Sequence, residues 1–240
     1  MDPATTAVGV AGVLGCGLAG LAAPALVVRL PDPSPSPSLP ADEEPPPTYA
    51  EVATEPGLAR RAAAWGVGAA ALVVLTVPSG WPWLLWLPLV PVLVTLALVD
   101  ARTRLLPRAV VLPATTWALG VLLVEGAVTG DARRLLVAVA CGLVARSVFW
   151  LLWWLRSAGL GFGDVRLVAV LGLLLGRLGP AETLTGLYLA FLVLGVPGLA
   201  LALVRRDRSL LRRARPFGPA LVVGTLLGPA VGPVLAALLG

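Results

Sequence analysis

Eight long apolar runs, separated by short polar stretches, set the pattern of the chain. The first covers about Ala4 to Val28 and ends at Arg29. Two more, Ala62 to Val77 and Trp83 to Val99, flank Pro78-Ser79-Gly80-Trp81-Pro82, a turn that carries interfacial Trp. Further runs lie near Ala109 to Val124, Leu135 to Leu155, Val165 to Leu178, Thr183 to Val204 and Phe217 to Leu239. Runs approaching about 20 apolar residues cross a bilayer as helices, because lipid offers the backbone no hydrogen-bond partner. The expected fold class is all-α: a polytopic transmembrane helical bundle of about eight helices.

The pattern breaks once. From Leu30 to Glu55 the chain reads PDPSPSPSLPADEEPPPTYAEV after its first residue, a Pro-, Ser- and acid-rich stretch that cannot bury a core and is expected to be extended. Pro46-Pro47-Thr48-Tyr49 within it fits a PPxY ligand pattern, although a solvated Pro-rich loop explains the same residues. The expected organisation is a first membrane helix over 1–29, a Pro-rich cytoplasmic loop over 30–61 and a membrane domain over 62–240. The first run opens with Asp2 rather than with basic residues, which favours a retained helix over a cleaved signal peptide. Ala22-Ala23-Pro24-Ala25 imitates a cleavage site and keeps the second reading open.

Composition narrows the chemistry. The chain is 58% hydrophobic and 13% charged, with a mean hydropathy of +0.92, far from soluble domains. It has no His and no Lys, and its two cysteines are Cys16 and Cys141. The usual His/Cys zinc sites, the HExxH helix, the Ser-His-Asp triad and the Ser-Lys dyad are all excluded. No metal and no cofactor is expected. Hydrolysis of a peptide bond by this chain would fall to carboxylates.

The net charge of +5 and the pI near 10.5 do not indicate nucleic acid, because the Arg residues fall mainly in connecting loops, where membrane orientation accounts for them. With the N-terminus outside, the cytoplasmic side receives Arg29, Arg60, Arg61, Arg102, Arg104, Arg108, Arg156 and Arg166, and also Arg205, Arg206, Arg208, Arg212, Arg213 and Arg215. The outer side receives Arg133, Arg134 and Arg177. Fourteen against three is a strong positive-inside bias, consistent with an even number of spans in a cell inner (plasma) membrane.

Two aspartates stand apart from the other acidic residues, which lie in the Pro-rich loop or in short connections. Asp100 ends the run LVPVLVTLALVD, and Asp164 opens another in GLGFGDVRLVAVLG. The topology puts both at helix ends on the cytoplasmic face, where a carboxylate is costly unless paired or wetted. A pair of carboxylates can divide acid–base work: one takes a proton from water and the other donates to the scissile carbonyl. Gly159, Gly161 and Gly163 permit positive φ and close backbone approach, which suits an extended substrate strand beside Asp164. The bland reading is that the glycines make a loop and Asp164 caps a helix, whose N-terminus would favour its ionised form.

Four smaller features complete the reading. Arg146 lies about ten residues inside a hydrophobic run, roughly 15 Å from its end, and calls for a partner, a snorkelling path or a wet cavity. Gly172 and Gly176 form a GxxxG that predicts a close-packing face. Trp150, Trp153 and Trp154 read as interface anchors, and the two cysteines as apolar fillers.

Three segments together resemble the type IV prepilin peptidases. Asp100 begins VDARTRLLPRAVVLP, similar to that family's Asp, polar stretch and two Leu-Pro pairs. Gly161-Phe162-Gly163-Asp164-Val165-Arg166-Leu167 resembles its GxGD motif, with Arg166 where Lys is usual, and Arg215-Pro216-Phe217-Gly218-Pro219-Ala220 resembles its Pro-Phe-Gly-Pro segment. Order and spacing fit across roughly Ala62 to Gly240, and Val28-Arg29-Leu30-Pro31 is similar to the Arg-Leu-Pro after the family's first helix. The resemblance implies an aspartic endopeptidase that cleaves the leader of prepilin-like (pseudopilin) precursors at the cytoplasmic face. Asp100 and Asp164 would be its catalytic pair, with Gly161, Gly163 and Arg166 as substrate-binding positions. The acidic Asp42-Glu43-Glu44 could attract a basic leader, though solvation explains it equally well. Many relatives carry a Cys-rich zinc domain after the first helix and methylate the new N-terminus. Here that place holds the Pro-rich loop without Cys, so methylation is not expected, and Arg108 stands where Asp or Asn often occurs.

The rival readings are a non-catalytic component of a pilus or secretion assembly and a small proton-coupled transporter. The second would place ionisable groups at the midplane within paired repeats. A presenilin-like peptidase shares GxGD but usually has Tyr beside its first Asp, whereas Val99 and Ala101 flank Asp100. The topology is testable directly. Reporter fusions at Arg104 and Ala158 should both read cytoplasmic, and an outside signal at either would separate the two aspartates.

Overall fold

Six helices long and apolar enough to cross a membrane dominate the structure, a computed structural model that describes residues 2–31, 46–155, 160–207 and 216–239. The chain is a multi-pass membrane protein, and every regular element among the described residues is helical. In order these are α1 (Pro3–Leu21), α2 (Ala23–Val27), α3 (Tyr49–Thr54), α4 (Leu58–Thr76), α5 (Trp81–Trp86) and α6 (Val90–Thr103). They are followed by α7 (Arg108–Thr129), α8 (Ala132–Leu155), α9 (Phe162–Gly176), α10 (Pro180–Val204) and α11 (Gly218–Leu239). With α5 and α6 counted as one crossing, Trp81–Thr103, the shorter α9 and the 22-residue α11 complete a bundle that follows the eight apolar runs.

Helix boundaries follow local chemistry. Asp2 caps α1, its Oδ1 accepting from the Thr5 N–H at 2.7 Å, and Pro3 occupies the first turn. Gly130 takes φ 71° to end α7, a left-handed stop that only glycine adopts cheaply. Pro107 precedes α7, where a missing N–H costs nothing.

Small residues set the spacing between helices. A Cβ on Gly172 would lie 2.7 Å from Gly142 Cα, and one on Gly176 would lie 2.6 Å from Cys141 Cβ. The GxxxG face of α9 therefore meets the backbone of α8, as the pattern predicts. Gly20 of α1 makes a similar contact with Ala62 of α4, and Gly224 of α11 faces Gly186 and Ala190 of α10. α9 occupies the middle of the bundle, touching α7, α8, α10 and α11. Almost its whole surface from Asp164 to Gly176 is buried.

Two findings differ from the sequence reading. Glu125, which falls where a solvated connection was expected, is 3% exposed. It holds Arg177 through two hydrogen bonds, one from Nε to Oε2 at 2.7 Å and one from Nη2 to Oε1. A partner 52 residues away removes the need for water there. The second difference is α3. The expected extended loop contains a helix at Tyr49–Thr54 closed by a capping box, with Glu51 N–H donating to Thr48 Oγ1 and Thr48 N–H to Glu51 Oε2. Tyr49 and Val52 pack with Val27, Leu58 and Val99, so the Tyr of the PPxY pattern is buried. Glu55 then pairs with Arg61 and Arg102, tying this segment to the last turn of α6. Residues 32–45 of the expected loop, including Asp42-Glu43-Glu44, lie outside the described residues.

Packing at α8–α9 leaves no room for a side chain. Gly172→Val should destabilise the folded protein in detergent by about 1–3 kcal/mol, read as a lower unfolding temperature. Gly120→Ala, at a position with open space around it, should be neutral or slightly stabilising.

Candidate active site

Asp100 sits in the last turn of α6. That helix stops four residues on because Arg104 adopts a left-handed conformation, φ 55°, with its N–H on the Asp100 carbonyl. Thr103 reinforces the turn, its hydroxyl bonding the Val99 carbonyl at 3.0 Å and accepting from the Leu105 N–H. Asp164 sits in the first turn of α9, where three preceding residues are free to donate. Both aspartates are nearly enclosed, at 3% and 6% exposure.

A backbone N–H holds each carboxylate by one oxygen. The Gly218 N–H donates to Asp100 Oδ2 at 2.9 Å, and the Gly161 N–H donates to Asp164 Oδ2 at 3.0 Å. No further hydrogen bond to either carboxylate is found among the described residues. The Oδ1 atoms are left for other work. Leu106, just past the end of α6, lies against Gly163 beside Asp164, so the two helix ends that carry residues 64 positions apart are neighbours. Among the described residues no group of three potential metal ligands exists.

The positive φ that the glycines could supply is not used. Gly161 is extended, φ −76° and ψ 148°, and Gly163 is within α9; neither is among the residues with positive φ. Gly163 is needed for space instead, because a Cβ there would lie 2.8 Å from Leu106 Cβ. This contact seats the start of α9 against the segment just after α6, and so brings the two aspartates into range. Gly159 lies outside the described residues. Arg166 stacks its guanidinium over Phe162, 4.7 Å from the ring centre, and Phe162 meets Trp153 edge-on. Trp153 is thus half-buried, while Trp150 and Trp154 remain exposed on the membrane side of α8.

Gly218 is the residue whose role sequence reasoning did not identify. A Cβ at this position would meet Asp100 Oδ2 at 2.7 Å, so only glycine lets the start of α11 reach the carboxylate. The signal was present in Pro216-Phe217-Gly218-Pro219, but the donor–acceptor relation spans 118 residues. Phe217 fixes the approach by stacking on Phe149, ring centres 5.9 Å apart, and by touching Phe191 at 5.2 Å.

Known proteins resemble the segment that carries these residues. Residues 87–203 match the family model described as the type IV leader peptidase family. The chain is 35% identical over 154 residues to a prepilin leader peptidase/N-methyltransferase of Aeromonas salmonicida, covering 63% of this chain and 50% of that protein. It is 36% identical over 155 residues to the protein of the same description from Aeromonas hydrophila, with the same coverage. The chain spans about half the length of the curated relatives it matches. No solved structure matches it. The segment that contains both aspartates is similar to the type IV leader peptidase family.

Proposed function

We propose that this protein is an aspartic endopeptidase of the inner membrane that removes the leader from prepilin-like precursors at the cytoplasmic face. The observation that carries the reading is the pairing of Asp100 and Asp164. They are enclosed carboxylates from two membrane helices, each tethered through Oδ2 and each with Oδ1 unengaged. Their location inside the family segment gives the chemistry a precedent.

The geometry suits water-mediated hydrolysis. Two neighbouring carboxylates share a proton, because two adjacent negative charges in a poorly solvated site repel. The ionised member takes a proton from a water molecule as its oxygen attacks the scissile carbonyl carbon. The protonated member donates to the carbonyl oxygen, giving a neutral gem-diol intermediate. Collapse then breaks the C–N bond, with a proton delivered to the departing amine, and the pair returns to its shared-proton state. The tethers on Oδ2 keep both groups oriented throughout, so little reorganisation accompanies the reaction.

The substrate class follows from the family: a bitopic precursor with a short basic leader and a hydrophobic helix behind the cut. The Arg-rich cytoplasmic loops favour the same orientation for the site. The proposal covers cleavage, and the transferase half of the relatives' description is not carried over. An assembly component without catalysis has no use for two enclosed and matched carboxylates. A transporter would bring them to the midplane rather than to helix ends.

Processing of a co-expressed prepilin in membranes tests the reading. Asp100→Asn and Asp164→Asn should each reduce cleavage by about 10²–10⁴-fold at equal expression, the usual share of acid–base catalysis. Cleavage that survives both substitutions would exclude the carboxylate mechanism. Gly218→Ala keeps the N–H donor but pushes on Asp100, so kcat should fall by roughly 10²-fold with a small change in KM, as misplacement of a catalytic group predicts.

A further inference from the structure

Arg146 carries the one charge in the middle of a spanning helix that nothing in the described structure answers. Its side chain is exposed on α8 between the exposed Leu143, Val144 and Trp150, on a face that meets lipid. No hydrogen bond, ion pair or ring contact to it exists among the described residues.

Snorkelling does not rescue it. Arg146 lies nine residues before Leu155, the cytoplasmic end of α8, which is about 14 Å of helix, and its outer end at Ala132 is about 21 Å away. Side chains on a helix lean toward its N-terminus. In α8 that direction leads to the distant outer face. Toward the nearer face, the positions one turn on are Phe149 and Trp150, bulky rings in the way of an extended guanidinium.

The described spanning helices do not supply the missing charge. The carboxylates within them are Asp100, Glu125 and Asp164, all enclosed, and Glu182 in the first turn of α10 at the outer end. A second copy therefore offers no carboxylate at the depth of Arg146.

We propose that the Arg146 face of α8 is a docking surface for the membrane helix of another protein, one that carries a single Asp or Glu level with Arg146. Charge complementarity selects this occupant over a purely apolar helix, because an unpaired Arg at this depth is costly and a carboxylate on the facing helix relieves both charges. The surface lies one turn from Phe149, whose ring stacks on Phe217 beside the Gly218 tether of Asp100. A helix seated there would have its cytoplasmic end at the edge of the candidate active site. The docking argument itself does not depend on catalysis.

The test measures association rather than cleavage. The full-length protein is placed in phosphatidylcholine/phosphatidylglycerol vesicles with a fluorescent Lys-flanked Leu-Ala peptide. The peptide spans the bilayer once and carries either Glu or Gln about one-third of the way in from its cytoplasmic end. Energy transfer at pH 8 should show the Glu peptide binding roughly tenfold tighter than the Gln peptide, the size of an interhelical polar contact in a bilayer. Arg146→Leu, which suits a lipid-facing position and leaves the core untouched, should abolish the difference, and Arg146→Lys should retain part of it. Equal binding of the two peptides to the wild type would overturn the proposal and leave Arg146 to lipid phosphate. A Glu preference that persists in Arg146→Leu would overturn it as well.

Discussion

A carboxylate held at the end of a membrane helix needs a partner that adds no charge of its own, and in this protein the partner is a backbone N–H. Such donors are scarce in a helical bundle, since every interior N–H is already bonded four residues back. They are free only in the first turn of a helix and just before it. Gly161 and Gly218 occupy those positions at the starts of α9 and α11. The site therefore requires two helix starts and one helix end, α6, to converge on one membrane face. An even number of crossings between these ends is what makes that possible.

Much of the bundle follows from bringing those three ends together. α9 has only 15 residues, about 22 Å of helix, less than the hydrocarbon thickness. It is buried by its neighbours rather than exposed to lipid, and its glycine face on α8 fixes how deep it lies. Its outer end is pinned by Arg177 on Glu125, and its inner end is seated by Gly163 against Leu106. A buried ion pair of this kind is weak evidence for stability. Its value here is positional, since a slide of α9 along its axis would break the pair and move Asp164 with it.

What the sequence disclosed and what it withheld divide along physical lines. Lipid forces each long apolar run into a helix, so the spans and the all-α class were legible from hydropathy. Asp100 and Asp164 stood out because a charge beside such a run demands a reason. The α8–α9 seam was legible in Gly172 and Gly176. Glu125 was misread because its burial depends on a partner in another helix, and no local pattern carries that. The helix at Tyr49–Thr54 was overlooked although Thr48 and Glu51 form a readable capping box; the surrounding prolines outweighed it. Of the two properties read into Gly161 and Gly163, neither glycine uses a positive φ, and close approach is realised at Gly163 against Leu106.

The two faces of the bundle are built for different tasks. On the outer side the connections are short, Gly130-Asp131 between α7 and α8 and Leu178-Gly179 before α10, and the Glu125–Arg177 pair closes the gap between them. On the inner side α3 and its apolar cluster brace the end of α6 through Val99, directly beside Asp100, and Glu55 adds ion pairs to Arg61 and Arg102. Among the described residues this bracing acts on the helix of Asp100, while Asp164 has Leu106 and its own cap. The helix that carries Asp100 is thus supported at its own end of the bundle, and the helix that carries Asp164 is anchored at the opposite end. The two anchors therefore lie at opposite ends of the bundle, and neither Asp100 nor Asp164 depends on the other's support.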